Sequence, residues 1–196
     1  MEVISITKEQ IVDATIELLA EKGYFQTTTR MISQKAGIAV GTIYTHFPSK
    51  EAILEEIFQR EFTKREEFLS LQESEDISHL QQFHEFLEYH FTELRKHPAL
   101  ATVLIRESSN PEIQHLAGIH KFIHQLPKFF TEILQRASIS GEIRSLNPSL
   151  TAEILFSTLR GITLNLTLKG DALDFDAMKK ELKDFINYGI KQGKDV

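Results

Sequence analysis

The sequence predicts an all-α protein in which a three-helix head precedes a larger helical body. Apolar residues recur at helical spacing in most segments, and Gly or Pro separates those segments, while no segment shows the alternation of a strand. The 196 residues, 41% of them hydrophobic, suffice for a small head and a body with its own core. We predict a head at 1–48, a connecting helix at 49–74 and a body at 75–196.

The helices of the head are predicted from the spacing of apolar residues and from residues that typically begin or end a helix. A first amphipathic helix is predicted from Thr7 to Lys22. The hydroxyls of Thr27–Thr29 can cap a shorter second helix, which Gly37 closes. A third helix is predicted from about Val40 to Phe47, and Ser49 can cap the long connecting helix that follows. The head is therefore three helices joined by tight turns.

The body is predicted to consist of five helices, because helical patterns there are interrupted only by short Pro, Gly and Ser segments. The predicted ranges are 77–96, 99–107, 111–137, 148–168 and 174–192.

Composition excludes several classes of protein. The absence of cysteine removes disulfides, thiol nucleophiles and cysteine-based metal sites. No run of about 18 apolar residues is present, so no membrane span is expected. The first residues do not resemble an export signal, which favours the cytoplasm. We find no phosphate loop, nucleophile elbow or paired catalytic carboxylates, and we expect no enzyme activity, no catalytic residue and no cofactor.

Charge is distributed unevenly along the chain. The net charge is −6, but between Glu21 and Glu51 the chain carries four basic residues and no acid. This segment coincides with the second and third predicted helices. A protein that coats DNA non-specifically needs a broad basic surface, whereas a local basic patch is compatible with binding at one site.

The third helix has the residue types that a helix needs to enter the major groove of DNA. Ile43 and Phe47 are spaced i, i+4 and can anchor one face in the head. Gly41 permits close approach of the backbone, and Lys50 adds positive charge near a helix N-terminus. The predicted DNA-binding residues are Thr27, Thr28, Val40, Gly41, Thr42, Tyr44, Thr45, His46 and Lys50. Capping and surface roles are the alternative for any one of them.

The head resembles the TetR family of transcriptional regulators. The resemblance is carried by Gly23-Tyr24, Thr27-Thr28, Ala36-Gly37 and the run from Gly41 to Glu51. It implies a regulator, typically a repressor, that binds a palindromic double-stranded operator as a homodimer and responds to a small ligand. Ala39 departs from the family, which often has Ser there, and should forfeit a cap worth about 1 kcal/mol.

A dimer face is expected because one short helix reads few base pairs, and two heads on a palindrome gain affinity and specificity. The helix at 148–168 is apolar on nearly all sides and must be covered all round. Its predicted contacts, together with one from the last helix, are Leu155, Leu159, Ile162 and Phe185. A core helix within a monomer is the alternative.

Aromatic residues concentrate in the body, where the resemblance implies a pocket for a hydrophobic effector that weakens DNA binding. The predicted lining is Phe83, Phe86, Phe91, Phe122 and Phe129. Ordinary core packing is the alternative for each of them. Arg106 could anchor a carboxylate or other polar head group, which would resemble the fatty-acid-responsive branch of the family.

Two other functions remain open at the level of sequence. A helical ligand-binding or protein-interaction module could retain the head only as a scaffold. A metal-responsive regulator could use His120 and His124, which are spaced i, i+4 on one helix face. No HExxH arrangement accompanies this pair, and we predict no metal site.

Overall fold

A computed structural model describes residues 2–72, 77–169 and 174–190, and leaves out the side chains of residues 2–6, Lys169 and Phe175. The described residues form α-helices and no strand, which confirms the predicted all-α class. The helices are α1 (Glu2–Lys22), α2 (Thr29–Ala36), α3 (Val40–His46), α4 (Lys50–Gln72), α5 (His79–Lys96), α6 (Pro98–Ser108), α7 (Ala117–Ile139), α8 (Pro148–Lys169) and α9 (Phe175–Ile190).

Local signals explain most helix limits. The Thr28 side chain accepts a hydrogen bond from Met31 N and caps α2, and Gly37 ends α2 in the left-handed region with φ 69°. At the start of α3, Ala39 makes no side-chain cap, as its departure from the family pattern predicted. The predicted ends of the connecting helix at 74 and of the last helix at 192 lie outside the described residues.

The start of α7 differs from the prediction. The helix begins at Ala117 rather than at 111, because Asn110 Oδ1 accepts a hydrogen bond from Glu112 N and forms a turn. The N-terminus of α7 is then capped by a residue distant in sequence, since Ala117 N donates to Glu55 Oε1 at 2.8 Å. A cap from another helix leaves no signal in the local sequence.

The chain divides into two compact units. Unit 1 comprises Met1–Thr63 and His97–Ile123, and unit 2 comprises Lys64–Lys96 and His124–Val196. Unit 1 therefore contains α6 and the first turns of α7 as well as the three helices of the head. Both α4 and α7 run through the two units.

Unit 1 joins the start of α7 closely to α4. A Cβ atom on Gly118 would lie only 2.6 Å from the Glu55 backbone oxygen, so glycine permits this approach. One turn further along, the rings of Phe58 and Phe122 meet edge to face at 5.5 Å. The Lys121 ammonium lies 4.2 Å from the centre of the Phe62 ring.

Unit 2 has an aromatic core. Phe130 contacts Phe83, Phe86 and Phe156 edge to face at centroid distances of 5.0, 5.1 and 6.3 Å. Outside this core, the carboxylate of Glu142 accepts hydrogen bonds from the backbone nitrogens of His79 and Leu80 and so caps the N-terminus of α5.

Candidate DNA-binding head and effector core

The third helix presents one face to the head and another to solvent. Ile43 and Phe47 are buried, as their i, i+4 spacing predicted. Val40, Gly41, Tyr44 and Thr45 are exposed, whereas Thr42 and His46 are half-buried. The Tyr44 side chain is 51% exposed. The outward face of α3 therefore carries the side chains that the sequence assigned to DNA.

Hydroxyl groups on this face have defined local partners. The hydroxyl oxygens of Tyr44 and Thr29 lie 3.3 Å apart, which joins the exposed face of α3 to the start of α2. Thr45 Oγ1 donates to Gly41 O in its own helix. Thr28 is exposed beside Thr29 at the N-terminus of α2, where unpaired backbone N–H groups favour an anion. The α2 N-terminus and the α3 face thus form one polar surface suited to a phosphate backbone.

The prediction that the Thr27 side chain contacts DNA is wrong. Thr27 is 0% exposed, and its hydroxyl donates to Gly23 O at 2.8 Å. The side chain therefore closes the turn between α1 and α2. The sequence signal was ambiguous because threonine hydroxyls serve both in turns and as ligands for phosphate.

Lys50 has an internal role that the sequence did not predict. Its ammonium donates to Tyr24 O at 2.7 Å and to Thr27 O at 2.9 Å, and it lies 4.0 Å from the centre of the Tyr24 ring. Burial lowers the pKa of Lys50 below its usual value. Since an ammonium has three donors, a single N–H remains for DNA. Lys50 primarily holds the α1–α2 turn.

Tyr24 and Glu51 complete this arrangement. The Tyr24 hydroxyl donates to Glu51 Oε1. Burial, then the hydrogen bond to Glu51 and its charge, raise the pKa of Tyr24 well above its usual value. The sequence indicated these residues only as family-like positions, because their contact joins segments 27 residues apart.

The Arg106 side chain has hydrogen-bond partners within unit 1. Arg106 Nε donates to Glu107 Oε1 at 2.9 Å, and Nη1 donates to Ala20 O at 3.2 Å. The guanidinium is thus engaged with the end of α1. The role of Arg106 as a head-group anchor stays a prediction.

The aromatic residues assigned to the effector divide between the two units. Phe83, Phe86 and Phe91 are buried in unit 2, and Phe129 is half-buried there. Phe122 packs on Phe58 in unit 1. Phe130, which the predicted lining left out, is the residue on which the other rings of unit 2 converge. Helical periodicity predicts that these phenylalanines lie on the apolar faces of their helices. It does not show which of them share a cluster.

The dimer contacts predicted on α8 need correction. Leu155 and Leu159 are each 3% exposed and Ile162 is 9% exposed, because these side chains fill the interior of unit 2. They are not available to a partner. Phe185 of α9 is 65% exposed, as a dimer contact requires. The large apolar residues that α8 exposes are Leu150, Ile154, Leu164 and Leu168.

Neither a metal site nor a membrane span is found in the described part of the chain. His120 and His124 are both exposed on α7, and no group of three or more potential ligand residues comes together among the residues described. Within the same residues, no helix is long and apolar enough to cross a bilayer.

A three-helix head with an exposed third helix, joined to a helical body, defines a helix-turn-helix DNA-binding protein. Residues 11–57 match the model of bacterial regulatory proteins of the tetR family, and residues 76–164 match a tetracyclin repressor-like C-terminal domain. Together these matches cover more than half of the chain. The chain belongs to the TetR family, and it is a ligand-responsive transcriptional regulator.

Several relatives are regulators of fatty acid metabolism. The chain is 26% identical to the fatty acid metabolism regulator protein of Bacillus subtilis (strain 168) over 182 residues, which cover 92% of this chain and 94% of the relative. The structure of FadR from Bacillus subtilis in complex with stearoyl-CoA matches with TM-score 0.81 and 27% identity, covering 91% of this chain and 96% of that chain. The fatty acid degradation regulator FadR from Bacillus halodurans gives the same four values. The resemblance to the fatty-acid-responsive branch is confirmed by these relatives.

Proposed function

We propose that this protein is a cytoplasmic repressor, without enzyme activity, that binds a palindromic operator as a homodimer and is released by a long-chain fatty acyl effector. The observation that carries the DNA-binding part is the exposed face of α3, with Tyr44 beside the N-terminus of α2. Two such heads would bind successive major grooves about 34 Å apart. A dimer is required because a single short helix contacts few base pairs.

The DNA surface consists of two kinds of contact. Thr28 and the N-terminus of α2 are placed to bind phosphates, which fix the position of the head without reading sequence. Val40, Gly41, Thr42 and Tyr44 on α3 are placed to contact base edges in the major groove. His46 and Thr45 extend the same polar face. Phosphate contacts make affinity strongly salt-dependent, since binding releases counterions from DNA.

The dimer surface lies on the exposed side of α8. Leu150, Ile154, Leu164 and Leu168 are apolar and exposed, and Ser157 and Gly161 occupy the intervening positions of the same stripe. The spacing alternates between four and three residues, which is the spacing by which two helices pack along a seam. The small residues in the middle allow a partner helix to come close. Phe185 and Tyr188 on α9 extend the apolar surface.

The effector part of the proposal is supported by the relatives and by the core of unit 2. FadR from Bacillus subtilis has been solved with stearoyl-CoA, and its identity to this chain extends over both the head and the body. An acyl chain needs apolar and adaptable surroundings, and unit 2 supplies clustered phenylalanine rings around Phe130. We infer that the acyl chain enters among Phe83, Phe86, Phe91 and Phe129.

The test uses the full-length protein and an operator recovered by selection from random duplexes. Operator binding is followed by fluorescence anisotropy during separate additions of stearoyl-CoA, stearate and coenzyme A. We expect stearoyl-CoA or stearate to release DNA at low micromolar concentration and coenzyme A alone to have no effect. Release by stearate as well as stearoyl-CoA would assign recognition to the acyl chain. Operator binding that none of the three changes would contradict the proposed effector.

A further inference from the structure

We propose that Arg65 and His90 bind the oxygen on the first carbon of the acyl effector, either the carboxylate of a free fatty acid or the thioester carbonyl of an acyl-CoA. The two residues are called here the Arg65–His90 pair. This assignment rests on the proposed function, because it names the group of the fatty acyl effector that unit 2 recognises. Both residues belong to unit 2, as do Phe83, Phe86 and Phe91.

Arg65 is a buried cation within a charged run of the sequence. Lys64, Glu66 and Glu67 beside it are exposed or half-buried, whereas Arg65 is 0% exposed. Leu69, one turn later on α4, is also buried, so Arg65 lies on the inward face of the helix. A fully buried arginine is rare, because removing its charge from water is costly. The inward face of α4 therefore carries a positive charge into the interior of unit 2.

His90 is the hydrogen-bond partner of the Arg65 Nε atom. Arg65 Nε donates to His90 Nδ1 at 3.2 Å. Burial, and then the positive charge of Arg65, lower the pKa of His90 well below its usual value. The imidazole is therefore neutral, and since Nδ1 accepts, its proton lies on Nε2. A neutral acceptor leaves the charge of the guanidinium in place.

The Arg65–His90 pair lies beside the phenylalanine rings of unit 2. The His90 ring stacks on Phe86 at a centroid distance of 5.8 Å and meets the Phe91 ring at 5.4 Å. Phe86 in turn meets Phe130 at 5.1 Å. The donors therefore border the apolar rings among which the acyl chain is proposed to lie. This order of polar and apolar groups matches a long hydrocarbon chain that ends in a carbon bearing oxygen.

The chemistry of the pair suits an acyl oxygen. A guanidinium has five N–H donors in a planar fork and can bind both oxygens of a carboxylate, and the Nε2–H of His90 is a further donor. A thioester carbonyl has one neutral oxygen, which accepts weaker hydrogen bonds than a carboxylate does. Loss of the guanidinium should therefore weaken binding of a free acid more than binding of a thioester.

A structural role is the alternative for Arg65. In that alternative, Arg65 serves only to bond His90 and to balance the buried carboxyl group of Glu61, four residues earlier on α4. Buried charges of this kind contribute little net stability compared with apolar residues of similar volume. A structural role gives the protein no means of distinguishing an acyl chain with a carbonyl oxygen from one without it. That distinction separates the two roles.

The experiment measures binding of three probes to the full-length protein by calorimetry without DNA, below the concentration at which each probe forms micelles. The probes are stearate, stearoyl-CoA and S-octadecyl-CoA, a thioether in which a methylene replaces the carbonyl group. Wild type is compared with Arg65→Met, which keeps an unbranched apolar side chain, and with His90→Phe, which keeps a stacked ring. Arg95→Met is the matched control, because Arg95 forms an exposed ion pair with Asp176 in unit 2. Arg106→Ala tests the other arginine predicted to bind a polar head group.

Wild type is expected to bind stearoyl-CoA about fivefold more tightly than S-octadecyl-CoA, the effect of a hydrogen bond to a neutral oxygen. Arg65→Met should abolish this preference and weaken stearate binding about 10- to 100-fold, as for a lost hydrogen bond to a charged group. Its affinity for S-octadecyl-CoA should stay within about twofold of wild type. His90→Phe should lie between Arg65→Met and wild type, and Arg95→Met should bind all three probes as wild type does.

Wild-type preference for stearoyl-CoA and wild-type affinity for stearate in Arg65→Met would overturn the inference and leave the proposed effector intact. Equal weakening of all three probes in Arg65→Met would also overturn it, since that result indicates a structural role. Equal affinity of wild type for the two CoA probes would overturn it even if Arg65→Met did not fold. Loss of the preference in Arg106→Ala, but not in Arg65→Met, would assign the acyl oxygen to Arg106 instead. Wild type that binds none of the three probes would refute the proposed effector and the inference with it.

Discussion

Different kinds of interaction stabilise the head in unit 1 and the core of unit 2. Around the α1–α2 turn, Tyr24, Lys50 and Arg106 make directional hydrogen bonds to named atoms. Around Phe130, the principal contacts are aromatic rings that meet edge to face. Directional bonds fix the orientation of a DNA-reading helix, whereas apolar packing can rearrange around an acyl chain. The difference predicts that substitutions in unit 2 affect stability and ligand binding, and that substitutions in the head affect DNA binding at nearly constant stability.

The largest effect is expected from Phe130→Ala in the centre of the unit 2 core. Removal of a fully buried phenylalanine leaves a cavity and costs about 3–5 kcal/mol of the free energy of unfolding. Phe129→Ala is the control, since Phe129 is half-buried and should lose less. Urea denaturation followed by circular dichroism measures both. Equal losses for the two variants would contradict the assignment of Phe130 to the centre of the core.

Ile154→Glu should separate the protomers and leave each protomer folded. Ile154 is 61% exposed, so its replacement does not disturb the interior of unit 2, but it would place a charge in the proposed dimer seam. A loss of about 2 kcal/mol raises the dimer dissociation constant roughly 30-fold. Sedimentation equilibrium measures this constant.

The control for the dimer seam is Glu153→Gln, at the neighbouring exposed position of α8. It should leave the dissociation constant unchanged. A dimer dissociation constant of Ile154→Glu equal to that of wild type would show that the interface does not include this stripe of α8.

Tyr44→Ala should weaken operator binding by about ten- to hundredfold, because a base or phosphate contact is worth about 1–3 kcal/mol. The melting temperature should change little, since the ring is exposed. Tyr44→Phe removes only the hydroxyl that lies near Thr29 and separates the polar contact from the ring contact. Fluorescence anisotropy at several salt concentrations gives the affinity. If Tyr44→Ala bound the operator as tightly as wild type, the assignment of the exposed face of α3 to DNA contact would be contradicted.

The smallest expected effect concerns Glu142, and it depends on pH. Burial alone would raise the pKa of this carboxyl, but hydrogen bonds from the backbone of Leu80, from His79 and from Ser140 outweigh burial and lower the pKa to about 2. The pKa is lower in the folded than in the unfolded state. The stabilisation is therefore complete above the unfolded value near 4.5 and is lost as the pH falls toward 2.

Glu142→Gln is expected to cost about 1 kcal/mol at neutral pH, in the range of a lost helix cap. Its free energy of unfolding should also depend less on pH between about 4.5 and 2 than that of wild type. Urea denaturation across this pH range measures the difference. Parallel pH profiles for the two proteins would show that the carboxylate of Glu142 contributes no cap.

Sequence reasoning recovered the elements that depend on local signals. The limits of α2 follow from a threonine cap and a glycine terminator, and the prediction that Ala39 leaves α3 without a side-chain cap is confirmed. The inner residues Ile43 and Phe47 followed from their spacing. Local signals suffice here because helix caps and helix faces are set by residues within four positions of one another.

Contacts between residues that are distant in the sequence could not be predicted from local patterns. The α8 helix is apolar on nearly all sides, so its pattern could not show that Leu155 faces the protomer core while Ile154 faces outward. The sequence does not reveal that α6 reaches the end of α1, where Arg106 donates to Ala20 O. Thr27 and Lys50 had residue types that suit both DNA contact and internal bonding, and the structure gives both of them internal bonds.

The most direct test of the central claim is selection of bound duplexes from a random-sequence pool by the full-length protein at moderate salt. The account predicts enrichment of a palindrome whose half-sites are separated by about one helical turn, bound by wild type and poorly by Tyr44→Ala. Tyr44→Phe serves as the conservative control. No enriched sequence after removal of co-purified lipid, or equal enrichment by Tyr44→Ala, would contradict the assignment of α3 as the DNA-reading helix of a dimeric regulator.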